Sequence, residues 1–99
     1  MTQTNYIRET DLLEIIFKET EVPIIEKLSN GVEIEFDDDY NLVSIILPNF
    51  CQMIHRQYPM DTVFQYARAI FTDKYHVMLV IQVNDQPIQV RIDLSELDK

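Results

Sequence analysis

The sequence predicts an α+β domain: an antiparallel β-sheet built from two hairpins, with two short helices packed on one face. Three observations carry this. Apolar and polar residues alternate with period two across residues 32–36 and again through 87–94. Between these regions, Pro48, Pro59 and two helix-capping side chains punctuate the chain. The resulting order of strands, helices and strands segregates the helices to one face of an antiparallel sheet.

The elements follow in order. Within residues 11–17, Leu13, Ile15 and Phe17 share one face of a strand and Leu12, Glu14 and Ile16 the other. Helical spacing of Leu12, Ile15 and Ile16 competes, but β-branched and aromatic content with Pro23 close behind favours the strand. Pro23 confines Val22, Ile24 and Ile25 to a short edge segment. Asn30-Gly31 marks a turn, and Gly31 is the single glycine able to supply a positive φ. Val32, Ile34 and Phe36 then alternate with Glu33, Glu35 and Asp37, and the Asp37–Asn41 run is a turn by composition. Residues 42–47 close the first hairpin region, 11–47, and Pro48 ends it.

Asn49 suits a helix N-cap, with Gln52 at the capping-box position, over about 49–58. Phe50, Met53, Ile54 and Tyr58 make its apolar stripe. Asp61 caps a second predicted helix, about 61–72, in which Val63, Phe64, Ala67, Ile70 and Phe71 share a side. Residues 75–94 form the second hairpin around Asn84-Asp85, and the tail 95–99 is compatible with one helical turn. A one-sided sheet leaves a face and an edge open, and homodimerisation would cover either.

Ninety-nine residues with a 46% hydrophobic content suit one domain and one core, spanning 1–99. Charge is the most unusual bulk property: 17 Asp and Glu against 8 Lys and Arg give a formal net charge of −9. Such a chain repels nucleic acid directly, because phosphate binding relies on Lys and Arg displacing counterions. It suits a partner for a basic protein surface, or an imitation of nucleic acid. Charge that only keeps a small domain in solution is the plainest alternative. A single cysteine, Cys51, forms no internal disulfide, which points to a reducing, cytoplasmic setting. No secretory leader and no apolar run of about 20 residues that would span a bilayer is visible.

Complete catalytic sets are missing. Cys51 and His55 stand at i, i+4, which offers half a zinc site or a nucleophile and base without an orienting third group. A small buried thiol beside a surface imidazole explains them as well. One glycine in the chain excludes a glycine-cradled phosphate loop. The Asp37-Asp38-Asp39 run fails the EF-hand pattern, since Leu42 follows Asn41 where the turn glycine belongs and no Glu closes the loop. Tyr58, Tyr66 and Tyr75 near Arg56, Arg68 and Lys74 could stack on bases, but the net negative charge opposes this and favours packing roles. The reading is therefore non-enzymatic, with no metal or cofactor.

Residues 11–47 resemble DUF2283, a family of very short bacterial proteins of unknown function. Asp11, Leu13, Ile15 and Phe17 match its first strand, and Gly31, Val32, Ile34, Phe36, Asp37, Leu42, Val43 and Ile45 match its second half. Glu35 stands where the family has Asp, and Tyr40, Ser44 and Ile46 where it has Gly, Gly and Glu. The resemblance implies no chemistry; it implies a small partner of the kind found beside compact toxin-like proteins. The function expected is that of an acidic interaction module, a small regulator or antitoxin-like partner of a basic protein. Its contact surface would be Glu33, Glu35, Asp37, Asp38, Asp39 and Tyr40. A nucleic-acid mimic and a small metal-dependent or Cys/His enzyme are the alternatives.

Overall fold

The computed structural model describes residues 2–21 and 23–97. Eight strands run β1 Gln3–Ile7, β2 Leu12–Ile16, β3 Ile24–Lys27, β4 Glu33–Phe36, β5 Leu42–Leu47, β6 Phe64–Phe71, β7 His76–Val83 and β8 Gln86–Asp93, with one helical turn, α1 Phe50–Met53, between β5 and β6. They form two antiparallel sheets, ordered β1-β2-β5-β4-β3 and β6-β7-β8. Single 3-10 turns at Arg8–Thr10 and Ser95–Leu97 complete the described elements.

The apolar faces of the two sheets share one core. Leu13, Ile15, Ile34, Ile45 and Leu47 come from the first sheet, Ala67, Leu79, Ile81, Val90 and Ile92 from the second, all in one buried cluster. Period-two alternation places them there: β7 reads half-buried and buried in strict succession from His76 to Val83. Cross-strand pairing lines up Ile15 with Ile45 and Ile45 with Ile34, so the first sheet's inner face is a continuous row of Ile. On the side where β1 faces β6, Tyr6 stacks on Phe64 at 4.7 Å, and Phe50 meets Phe64 edge-on at 5.9 Å.

This is a mostly β architecture, so the α+β expectation of two helices packed on a single sheet is corrected. The predicted helix over 61–72 is β6. Its register slips between Phe64 and Ala67, which puts both residues opposite β7 although they are three apart. That bulge imitates the helical spacing seen in the sequence. Val63, Ile70 and Phe71, assigned to a buried helical side, are instead exposed. The bulge is pinned by the β7–β8 turn, where the Val63 amide donates to Asn84 Oδ1 at 2.9 Å and Gln65 Nε2 donates to Asp85 Oδ1 at 2.8 Å. Asn84 and Asp85 both have positive φ, the geometry of a two-residue hairpin turn.

The predicted helix over 49–58 shrinks to four residues. Asn49 is left-handed and makes no side-chain cap. The cap comes from Asp11, whose carboxylate accepts the Cys51 amide at 3.0 and 3.1 Å, and whose carbonyl accepts the Phe50 amide at 2.9 Å. His55 then turns left-handed. Its amide reaches the Gln52 carbonyl and the Arg56 amide reaches that of Cys51, which closes the helix as a Schellman motif. Tyr58 leaves the helical path and packs on Phe64 at 5.6 Å.

Strands β2 to β5 lie within residues 11–47, with β2 paired to β5 as well as to β1, and β7 and β8 form a hairpin within 75–94. β3 is the short edge segment, although Val22 lies outside the described residues. The polar N-terminal stretch, for which no element was expected, is strand β1. The tail turn is present over Ser95–Leu97, and 98–99 lie outside the described residues. Gly31 has φ +93, and a Cβ there would meet Pro48 Cγ at 3.3 Å. Pro87 sits on β8, an outer strand, where a missing N–H breaks no ladder.

Strand β6 can be told from a helix by mutation. Leu79→Ala, at 0% exposure, is expected to cost about 2–5 kcal/mol in urea unfolding. Ile70→Ala, core in the helical reading but 43% exposed in the strand, should stay within about 0.5 kcal/mol. In the same assay Gly31→Ala is expected to lose about 1–2 kcal/mol, since an alanine Cβ strains a left-handed backbone.

Candidate interaction site

The β4–β5 turn begins from a bulge. Glu35 pairs with Ser44 and Phe36 with Leu42, so Val43 is an extra residue in β5. The Val43 carbonyl accepts the amides of Phe17 and Lys18, at 2.8 and 3.3 Å. Lys18 is thereby held beside the turn, and its ammonium donates to Asp37 Oδ2. Asp37 Oδ1 accepts the amides of Asp39 and Asn41, at 2.9 and 2.8 Å. The Lys18 ammonium, followed by the Asn41 amide, lowers the Asp37 carboxyl to about 2.

The six residues expected to form one acidic stripe are therefore divided among three settings. Asp37 is 7% exposed and its charge is matched by Lys18 inside the turn. Glu33 and Glu35 are half-buried on the outer face of the five-stranded sheet, where Glu35 accepts the Ser44 hydroxyl and Glu33 faces Lys27 across the strands. Asp38, Asp39 and Tyr40 stand exposed at the tip. Asp37, Asp38 and Asp39 can bring one carboxylate oxygen each within 4.8 Å of one another. A cation there would have to displace the Lys18 ammonium and compete with two amides for Asp37.

Tyr40 leads into a cleft. It has φ +60, is 67% exposed, and its ring centroid lies 6.0 Å from that of Phe36. The pair lines one side of an open cleft of about 450 Å³ whose other walls are Phe71, Tyr75, Leu94 and Leu97. Glu26 and Lys74 complete the lining, with Lys74 Nζ lying 5.2 Å from the centre of the Tyr75 ring. The cleft is thus aromatic and aliphatic within, and two exposed carboxylates, Asp38 and Asp39, follow one another in the turn that carries its Tyr40 wall, with no ion pair among the described residues.

The chain matches no family model, and neither curated proteins nor solved structures provide a match.

Cys51 is buried, with Sγ 3.4 Å from the Tyr6 hydroxyl, which donates to Asp11 Oδ1 at 2.5 Å. Burial and these bonds raise the Tyr6 phenol above its ordinary range. Burial pushes Asp11 up, but donors from Tyr6 and the Cys51 amide outweigh it, and the net shift is down. His55 lies beyond the end of α1, in a left-handed turn, so the i, i+4 relation to Cys51 is not a helical one. His76 Nδ1 lies 2.8 Å from Asp73 Oδ1, and its Nε2 lies 3.9 Å from Asp93. No helix among the described residues is long and apolar enough to cross a membrane.

The cleft was invisible in the sequence because its walls come from the turn after β4, the β6–β7 hairpin and the segment after β8. The one available signal was the exposed aromatic in an acidic turn, Tyr40.

The Lys18–Asp37 pair has a pH consequence with a definite sign. The folded-state carboxyl of Asp37 is depressed below its usual value of 3.8, so its contribution is complete above that value and is lost as pH falls through about 4 to about 2. Asp37→Asn is expected to destabilise the protein near neutral pH, and the gap between variant and wild type should close over that interval in thermal melts. A gap unchanged at low pH would show that the carboxylate charge is not what Lys18 recognises.

Proposed function

We propose that this protein is a non-enzymatic interaction module whose contact site is the Tyr40 cleft together with the acidic tip beside it. Its partner is a basic protein segment that inserts one large apolar side chain into the cleft and lays a neighbouring Lys or Arg against Asp38 and Asp39. The observation that carries the reading is the exposed Tyr40 ring, which lines an apolar cleft and directly follows Asp38 and Asp39, two exposed carboxylates without an ion pair among the described residues.

The physical division of labour is the usual one for interfaces. An aromatic anchor in a desolvated pocket supplies most of the affinity, on the order of 2 kcal/mol or more per hot-spot residue. Rim charges steer the encounter and select the sign of the partner. With Asp37 engaged by Lys18, the tip presents two free carboxylates rather than three, and its rigid turn spares the entropy of ordering them on binding.

The test uses a panel of short Lys/Arg-rich peptides, each with a single Leu, Phe or Trp, measured by fluorescence anisotropy against the full chain. Binding is expected for at least part of the panel, weakened roughly tenfold or more by Tyr40→Ala. Asp38→Lys combined with Asp39→Lys should abolish it mainly through the association rate. Equal binding of peptides lacking the apolar residue, or indifference to both variants, would refute the reading. Competition by duplex DNA for the same basic peptides would instead support a nucleic-acid mimic.

A further inference from the structure

The outer faces of the two sheets mix apolar with charged residues, and acids predominate on one and arginines on the other. On the five-stranded sheet, register places Ile46 between Glu14 and Glu33, in one row across three strands. Glu35 lies in the next row beside Ser44, and exposed Ile7 and Ile25 stand on the outer strands. Lys27, opposite Glu33, and Lys18, which lines a depression with Glu14 and Glu35 but is paired with Asp37, are the cations of this face. On the three-stranded sheet, register aligns Arg68 with Val80 and Gln89, and Ile70 with Met78 and Arg91. Tyr66 and Ile70 are 57% and 43% exposed there. Neither Arg68 nor Arg91 has an ion pair among the described residues. The acid of that face, Asp93, sits at one end against His76 and the Ser95 amide.

We infer that a second copy of this chain is the occupant of these faces, the Glu14–Ile46–Glu33 row of one copy docking on the Arg68/Arg91 face of the next. The spacing fits. Glu14 and Glu33 are two strands apart, about 10 Å, and Arg68 and Arg91 are two strands apart with a two-residue offset, about 12 Å. Long side chains span that difference. Apolar centres, Ile46 on one face and Met78 with Val80 on the other, meet inside the charged pairs.

The contact is heterologous, because two different faces meet, so each added copy leaves one face of each kind free. It is also weak. Three strands of eight residues cover about 14 by 27 Å, roughly 400 Å² of face, against the about 800 Å² per partner of a standard stable interface. Net charge opposes it at long range, since each copy carries −9. Association is therefore strongest near about 0.15 M salt, where screening beyond about 8 Å removes the global repulsion and leaves the contact pairs, and it disappears near about 1 M. This inference is independent of the Tyr40 cleft.

Sedimentation velocity over a concentration series at about 0.15 M salt tests it. Wild type is expected to show a continuous rise in mass beyond dimer with concentration. Glu14→Lys with Glu33→Lys, and Arg68→Glu with Arg91→Glu, should each remain monomeric. The quadruple exchange has the wild-type net charge, since two Glu→Lys add four charges and two Arg→Glu remove four, and it should associate again. Mixing the two double variants gives the same readout should the quadruple chain fold poorly, with circular dichroism as the folding control. The inference fails if wild type is monomeric throughout, if either double variant still associates, or if neither the exchange nor the mixture restores mass.

Discussion

The carboxyl group of Asp11 is the interaction on which the assembly of the two sheets depends. It sits in the turn between β1 and β2, left-handed at φ 52, and accepts from the Tyr6 hydroxyl and the Cys51 amide at once. A helix of four residues does not persist in water by itself, because nucleation fixes several dihedrals for one hydrogen bond. Here the lost entropy is offset by a fixed anion at the helix start and by Phe50, which is fully buried. With α1 held, the chain leaves the first sheet at a defined angle. Tyr6, Phe50, Tyr58 and Phe64 then close the side where β1 meets β6.

Two bulges decide which side chains reach the surface. At Val43 the extra residue shifts the alternation of β5, so half-buried Leu42 pairs with Phe36 and packs against the core cluster, while Val43 is buried outside that cluster. It also frees a carbonyl that anchors Lys18 next to Asp37. In β6 the slip between Phe64 and Ala67 leaves Tyr66, Arg68 and Ile70 on the outer face. Regular strands at either place would have given a different charge pattern outside the same core.

These irregularities mark the limit of what the sequence discloses. Strict alternation made β4, β7 and β8 legible, and Asn84-Asp85 announced its own turn. β6 was not legible, because a bulge that sets inward positions three residues apart has the spacing of a helix. β1 was hidden for another reason: an outer strand with Gln3, Thr4 and Asn5 buries little, and its pairing with β2 supplies what its composition does not. For the site, composition correctly made residues 37–41 a turn. It could not give Asp37 a partner 19 residues upstream, nor bring Phe71, Tyr75 and Leu94 to Tyr40.

The distribution of charge follows from these same constraints. Of the cations, Lys18 is spent on Asp37, Arg8 on the carbonyls of Tyr58 and Pro59, and Lys74 on the Tyr75 ring. Arg68 and Arg91 are left together on one outer face because the β6 bulge and the β7–β8 register place them there. The acids are too numerous to be neutralised internally; on the opposite outer face strand alternation sets out Glu14, Glu33 and Glu35, with Glu19 of the loop after β2 beside them, while Asp38 and Asp39 stand exposed in the β4–β5 turn. A chain of net charge −9 thus has one patch that is locally positive, one that is locally negative and apolar, and an acidic tip beside an aromatic cleft. Net charge alone describes none of them, because at physiological salt an interface senses only charges within about 8 Å.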